Sequence, residues 1–153
     1  MAKVDILFTR TEGTLLFYNV ERAVGPGCVN NRNDVLLVQY LLREAFKTPK
    51  FSGDPLAGFA GLTGLADQMT LAAIMHFQRG LRKERAVLSA ADGRIDPAGT
   101  DPISSISHTQ YTIINLNLAY QVRRPNEYPI MAQAADCPAE LRVALKPPRF
   151  LTN

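Results

Sequence analysis

The side chains best suited to acid–base chemistry are the two histidines, which lie far apart in the sequence. His76 stands beside Phe77 in an amphipathic segment, where a lone histidine is more often a packed or surface residue than a base. His108 ends a serine-rich run at residues 104–108. A serine and a histidine can act as nucleophile and base, but closeness in sequence is weak evidence for the required geometry. Two distant histidines also do not supply the closely spaced ligands of a catalytic zinc site.

The acidic residues do not predict catalysis either. Hydrolysis of a glycosidic bond needs two carboxylates that face each other across a cleft. Glu44 and Glu84 fall in predicted helices or at their ends, and Asp92 and Asp96 fall in a turn-rich stretch. No glycine-rich phosphate loop precedes a Lys-Ser or Lys-Thr pair. We therefore predict a protein that is not an enzyme and that carries no metal and no cofactor.

The two cysteines, Cys28 and Cys137, are isolated rather than arranged as CxxC pairs. Their spacing argues against a metal site or a redox motif. Isolated cysteines are more often buried thiols than partners in a bridge, and a disulfide stays open as the alternative for an oxidising compartment.

Charge and composition describe an ordinary globular protein. The net charge is +3, and 46% of the residues are hydrophobic against 20% charged. The densest basic run holds Arg79, Arg82, Lys83 and Arg85, with Glu84 inside it. We interpret this run as the solvated end of a helix rather than a polyanion site, and we expect no nucleic-acid partner.

The N-terminal segment lacks the apolar centre of a signal peptide, because Asp5 and Arg10 interrupt it. No stretch approaches the roughly 20 apolar residues that span a bilayer. We expect synthesis in the cytoplasm without a Sec signal. Action on a cell wall would then require export to the periplasm, or to a target cell, by a dedicated secretion system.

The elements that must position any site are predicted to be mainly helices, after an N-terminal β-hairpin. Alternating apolar residues at Val4, Ile6 and Phe8 favour the first strand of this hairpin. The hairpin is predicted over residues 3–20, and helices over residues 33–47, from residue 67 or 70 to residue 81, over 109–122, and over 138–145.

Several polar residues have predicted roles within these elements. Asn33 is expected to cap the first helix, with Asp34 at the positive end of the helix dipole. Gln39 and Gln78 lie beside apolar faces, where each amide is expected to bridge a loop backbone, with ligand contact as the alternative. The Asp-Gly pair at residues 92–93 predicts a turn.

Three motifs, in this order, resemble the peptidoglycan-binding-like domain family. The family pattern Asp-Val-x-x-Leu-Gln-x-x-Leu is matched by Asp-Val-Leu-Leu-Val-Gln-Tyr-Leu-Leu at residues 34–42. The pattern Thr-x-x-Ala-Ile-x-x-Phe-Gln is matched at residues 70–78, and Asp-Gly-x-Ile at residues 92–95. The lead-in at residues 24–34 is similar to that of a bacterial subgroup often joined to wall-lytic enzymes. Some members of this subgroup look like cargo of type VI secretion systems.

The resemblance implies a mainly α fold with a compact three-helix peptidoglycan-binding-like core. This core would occupy residues 24–122, with an added β-hairpin at residues 1–23 and a C-terminal extension with a short helix at residues 123–153. The chain departs from the family pattern in a longer first connection, at residues 48–66, and in an extra stretch at residues 100–110.

The function implied by the resemblance is that of a non-catalytic module that binds cell-wall glycan or stem peptide. The alternative is a protein-interaction adaptor, or a structural component of a type VI-like secretion or injection apparatus, whose hairpin pairs with a partner's sheet edge. The expected partner is thus peptidoglycan, or a secretion-system or lytic protein. The candidate ligand-binding residues, each otherwise an ordinary solvated residue, are Asn30, Asn31, Arg32, Tyr40, Gln78, Arg79 and Arg94.

Overall fold

The computed structural model describes residues 1–9, 13–51, 61–84, 90–99, 109–145 and 149–151. His108 with its serine-rich run, and Arg85 of the basic run, lie outside these residues. Within them the protein is mainly α-helical with a small β-sheet, which confirms the predicted fold class. The helices are α1 (Arg32–Ala45), α2 (Gln68–Glu84), α3 (Thr112–Arg123) and α4 (Ala139–Ala144), and the segment Tyr128–Gln133 is a 3-10 helix.

The predicted hairpin is confirmed and belongs to a three-stranded sheet. Strands β1 (Lys3–Thr9) and β2 (Gly13–Asn19) pair antiparallel, with Val4 opposite Tyr18. A third strand, β3 (Arg149–Leu151), runs parallel to β1 on its other side, so the strand order is β2-β1-β3. The sequence analysis missed β3, because three residues are too few to show an alternating pattern.

Helix α1 lies at the centre of the fold. Every residue from 34 to 42 is buried, as expected of a helix that is apolar on most of its surface. One core contains Tyr18 of the hairpin, Phe77 of α2, Leu116 of α3 and Leu141 of α4, together with the apolar side chains of α1. The hairpin, the helical region and the C-terminal extension therefore bury their apolar surfaces together.

The start of α1 differs from the prediction that Asn33 caps it. The helix begins at Arg32, and the cap residue Asn31 makes no side-chain capping bond. Asp34 is fully buried, and its two carboxylate oxygens accept hydrogen bonds from the backbone N–H groups of Glu21 and Arg22, both at 3.0 Å. Asp34 thus ties the segment that leaves β2 to the first turn of α1.

Both cysteines are free thiols in this structure. Cys28 is half-buried and Cys137 is buried. Burial raises the pKa of the Cys137 thiol to about 11, so this side chain stays protonated at neutral pH.

Candidate ligand-binding surface

A buried amide fixes the turn that precedes α2. Gln39 of α1 donates from Nε2 to the Thr63 hydroxyl at 3.1 Å, the Leu65 carbonyl at 3.2 Å and the Thr70 hydroxyl at 2.8 Å. Its Oε1 atom accepts the backbone N–H of Gly64 at 2.9 Å. Thr63 closes the turn by accepting the N–H of Leu65 at 3.2 Å. One side chain therefore joins the turn to both helices.

A second amide does the same for the turn that leads to α3. Gln78 of α2 donates from Nε2 to the Asp92 carboxylate at 3.3 Å, the Arg94 carbonyl at 2.9 Å and the Thr112 hydroxyl at 3.1 Å. Its Oε1 atom accepts the N–H of Gly93 at 2.8 Å. Asp92 accepts the N–H of Arg94 at 2.9 Å. The prediction that these two glutamines bridge loop backbones is confirmed.

We call the hydrogen bonds of Gln39 and those of Gln78 the two braces, and each bond in one has a counterpart in the other. Each central glycine has a positive φ, +73° at Gly64 and +76° at Gly93, which side chains other than glycine rarely adopt. We call residues 63–65 the first braced turn and residues 92–94 the second braced turn. The chain thus has two turns with the same hydrogen-bond pattern, and each is fixed by the amide of a buried glutamine.

The loop before α1 packs against the second braced turn. Val24 and Ile95 exchange backbone hydrogen bonds of 3.0 and 2.8 Å. Asn30, at φ +55°, accepts the N–H of Gly25 at 2.8 Å and donates to its carbonyl at 3.0 Å. Gly25 approaches so closely that a Cβ there would lie 2.7 Å from the Gly93 carbonyl oxygen. The loop that ends at α1 is therefore part of the same surface.

Each braced turn carries one exposed arginine. Arg32 lies over the first braced turn, where its Nη1 donates to the Thr63 carbonyl at 2.8 Å. Arg94 belongs to the second braced turn, and its Nη2 donates to Asp96 at 2.9 Å. Both guanidinium groups are exposed to solvent and are oriented by hydrogen bonds to neighbouring residues. An exposed, oriented guanidinium is suited to bind a carboxylate.

The other candidate residues are placed less favourably for a ligand. Tyr40 and Gln78 are buried, and Gln78 is fully occupied by the second braced turn. Asn31 is half-buried and accepts the N–H of Val35 through its carbonyl at 2.9 Å. Arg79 is exposed on α2. The surface that unites candidate residues consists of Asn30, Asn31, Arg32 and Arg94.

The hydroxyl of Tyr40 belongs to an ion-pair network that the sequence analysis missed. It donates to Asp136 at 2.7 Å and lies 3.3 Å from the Tyr120 hydroxyl. Arg124 contacts the same carboxylate at 3.1 Å, and Arg43 contacts it at 3.3 Å. The network joins α1, α3 and the C-terminal segment. The Tyr40 hydroxyl therefore stabilises the fold through its hydrogen bond to Asp136.

Acid should weaken the protein through Asp136. Burial by itself raises the pKa of this carboxyl, but hydrogen bonds from Tyr40 and Arg124 outweigh burial and hold the pKa below its ordinary value. The ionised group therefore stabilises the fold above about pH 4, and this contribution is lost as pH falls through the lower folded-state pKa. We expect Asp136→Asn to be less stable than wild type near neutral pH and to lose less stability on acidification.

Urea unfolding at several pH values between about 3 and 7 measures this difference. Asp96→Asn is the matched control, since Asp96 forms an exposed pair with Arg94. Parallel stability–pH curves for wild type and Asp136→Asn would contradict the prediction.

Of the side chains considered for catalysis, Asp92 and Asp96 lie in and beside the second braced turn, whereas His76 and Glu44 make other contacts. His76 is half-buried between Phe46, whose ring centroid lies 5.7 Å from that of the imidazole, and the Phe51 carbonyl at 3.1 Å. Glu44 is buried and pairs with Lys47 at 3.0 Å and Arg123 at 3.4 Å. In the part of the chain that is described, no three His, Cys, Asp or Glu residues are grouped to hold a metal ion, and no helix has the length and apolar character needed to cross a membrane.

Sequence reasoning missed Thr63, Gly64 and Glu140, which complete the surroundings of Arg32. Thr63 and Gly64 carry one signal in the sequence, a hydrogen-bonding residue followed by glycine, which is typical of a turn. Glu140 carries none, because it meets Arg32 across 108 residues of chain. Comparison with protein-family models, with curated proteins and with solved structures found no match to this chain.

Proposed function

We propose that this protein is a non-catalytic module that binds bacterial peptidoglycan through the surface of the two braced turns. The observation that supports the proposal best is the duplicated brace, which fixes two exposed arginines, Arg32 and Arg94, on rigid turns. Stem peptides of the wall carry carboxylates, and a planar guanidinium binds a carboxylate through two parallel hydrogen bonds. The motif resemblance points to the same ligand.

The loop between the two arginines offers backbone groups and a small apolar tip, with Val29 54% exposed. Cys28 is half-buried, while Pro26 and Gly27 are exposed. Sugars and peptide amides need hydrogen-bonding partners on a pre-formed surface, and the loop presents backbone groups held by Asn30. A rigid surface loses little conformational entropy on binding.

Sedimentation with purified, insoluble sacculi tests the proposal. We expect wild type to pellet with sacculi and Arg32→Gln/Arg94→Gln to lose about tenfold or more in apparent affinity, because each guanidinium supplies paired hydrogen bonds to a carboxylate. The matched control is Arg82→Gln/Lys83→Gln, which removes two positive charges from the last turn of α2. Wild type that stays in the supernatant, while an established wall binder pellets, would refute the proposal.

A second candidate function, the protein-interaction adaptor, draws support from one observation on α3. Leu118 and Val122, one turn apart, are 45% and 79% exposed. Pairing through the outer edge of β2 is less available, because Asn117 occupies the backbone N–H and C=O of Tyr18. If the protein is an adaptor, Leu118→Lys/Val122→Lys should abolish copurification of a specific partner protein from the native host and leave pelleting with sacculi unchanged.

A further inference from the structure

The Arg32 side chain is held in place before any ligand arrives. A Cβ on Gly64 would lie 2.8 Å from Arg32 Cγ and 2.9 Å from Nη1, so the stem of the arginine packs directly on the first braced turn. The Nη1 atom donates to the Thr63 carbonyl. The guanidinium is therefore oriented by the backbone of the first braced turn, and Gln39 holds that backbone in place.

The opposite edge of the same guanidinium already holds a carboxylate. Arg32 Nε donates to Glu140 Oε2 at 2.7 Å, and Arg32 Nη2 donates to Glu140 Oε1 at 2.9 Å. These two parallel hydrogen bonds are the bidentate arrangement that an arginine makes with any carboxylate. The hydrogen bonds from Arg32 hold the pKa of Glu140 below its ordinary value, so the carboxyl is ionised near neutral pH.

Glu140 is not needed to hold α4 in place. Leu141 and Ala144 of this helix are buried in the core. Arg142 donates to the carbonyls of Cys137 at 2.9 Å and Ala134 at 2.8 Å. The Glu140 side chain can rotate away while the helix stays docked.

The Arg32–Glu140 pair is also open to competition from solution. Both side chains are 53% exposed. Exposed ion pairs are weak because water and salt compete for both partners. A carboxylate that brings further contacts to the surface can therefore replace Glu140.

We propose that Arg32, seated on the first braced turn, is a binding site for a peptide carboxylate, and that Glu140 occupies this site as an internal competitor. The proposal rests on the proposed function for the source of the ligand, a stem peptide, and on geometry alone for the site itself. Removal of the Glu140 charge should raise the affinity for a peptide carboxylate by up to about fivefold, the range over which an exposed ion pair can occupy the arginine.

NMR titration of the backbone amide signals of the first braced turn, which Arg32 contacts, with N-acetyl-D-alanyl-D-alanine tests the site in every variant of the whole chain. The Arg32 Nε–H signal is a second probe wherever the arginine is kept. We expect a weak, saturable shift in wild type, up to about fivefold tighter binding in Glu140→Gln, and no shift of these signals in Arg32→Gln. Arg32→Lys keeps the charge but loses the paired donors, so it should bind no better than Arg32→Gln. The thermal melt of Arg32→Lys, compared with that of wild type, shows whether this variant keeps the fold.

Two controls separate the site from a general charge effect. The C-terminal amide of the same dipeptide should leave the Arg32 signal unmoved, because it lacks the carboxylate. Glu127→Gln removes an exposed negative charge that pairs with Arg124, away from both binding arginines, and should leave the affinity unchanged. Equal affinity in wild type and Glu140→Gln, an equal gain in Glu127→Gln, or binding of the amide would each overturn the proposal.

The source of the carboxylate is decided by a further pair of measurements. Tighter binding of the D,D dipeptide than of N-acetyl-L-alanyl-L-alanine supports a stem peptide, and equal binding supports a peptide carboxylate of general origin at the same site. If Glu140→Gln binds the dipeptide through Arg32 but does not pellet with sacculi, the site stands and the peptidoglycan proposal fails. If it pellets with sacculi but does not bind the dipeptide, this inference alone fails.

Discussion

Replacing Gln78 by leucine should lower the free energy of unfolding by about 3 kcal/mol, since it leaves one buried and one partly buried backbone group without partners. The N–H of Gly93 and the carbonyl of Arg94 both bond to the Gln78 amide, at 2.8 and 2.9 Å. Leucine has nearly the same volume as glutamine, so the loss comes from unpaired polar groups rather than from an empty space. The Thr112 hydroxyl loses a donor as well.

The Gln78→Leu prediction is measured by urea unfolding monitored by circular dichroism. The matched control is Gln121→Leu, the same substitution at an exposed position of α3, which should change the free energy of unfolding by less than about 0.5 kcal/mol. Gln39→Leu should cost as much as Gln78→Leu, because every contact of one brace has a counterpart in the other. A cost below about 1 kcal/mol for both variants would show that water replaces the amide and that the turns are not fixed by it.

The sequence predicts the helices and the role of the glutamines for one physical reason. Apolar residues at helical spacing must be buried together, and an amide placed among them must find hydrogen-bond partners. Those two requirements determine α1 and α2, and they determine that Gln39 and Gln78 bond to loop backbone. They do not determine which loop each amide reaches.

The duplication of the braced turns is invisible in the sequence because the contacts need few specific residues. Thr-Gly-Leu at residues 63–65 and Asp-Gly-Arg at residues 92–94 share only the glycine. The remaining bonds come from backbone atoms, or from any short oxygen-bearing side chain. A repeat in geometry therefore leaves almost no repeat in composition.

The candidate surface was only partly predictable, because exposed charges find partners through tertiary structure. Arg32 was selected for its place in a motif loop, but 14 acidic residues were available to it and nothing in the sequence singles out Glu140. The prediction that Asn33 caps α1 is wrong for a related reason. Asn31, Asn33 and Asp34 are all good cap residues, and the hydrogen bonds of Asp34 to the backbone of Glu21 and Arg22, after β2, decide between them.

The attachment of the hairpin to the helices depends on one further buried amide, that of Asn117. Its Oδ1 atom accepts the N–H of Tyr18 at 2.7 Å and the Tyr128 hydroxyl at 2.8 Å. Its Nδ2 atom donates to the carbonyls of Tyr18 at 2.8 Å and Ile113 at 2.7 Å. Asn117 therefore pairs with Tyr18 as a neighbouring strand would, and it occupies the outer edge of β2 at this residue.

Asn117→Leu should cost about 3 kcal/mol of the free energy of unfolding and release the edge of β2, because the N–H and C=O of Tyr18 both lose their partner inside the protein. Hydrogen exchange of the Tyr18 amide should accelerate more than that of amides in α2, since local opening of the hairpin becomes easier than global unfolding. Tyr128→Phe removes one hydroxyl from the same cluster and should cost about 1 kcal/mol.

The control for Asn117→Leu is Asn115→Leu, two residues earlier on α3. Asn115 is half-buried and makes one long bond of 3.4 Å to the Tyr111 carbonyl, so its loss should cost less than about 1 kcal/mol. Equal costs at the two positions, or unchanged exchange at Tyr18, would mean that apolar packing of the Tyr18 and Tyr128 rings, with centroids 5.4 Å apart, holds the hairpin without the amide. A selective effect at Asn117 would instead show that a single polar side chain joins the β-sheet to the helical core. In that case a partner strand could pair with β2 at Tyr18 only after displacing Asn117.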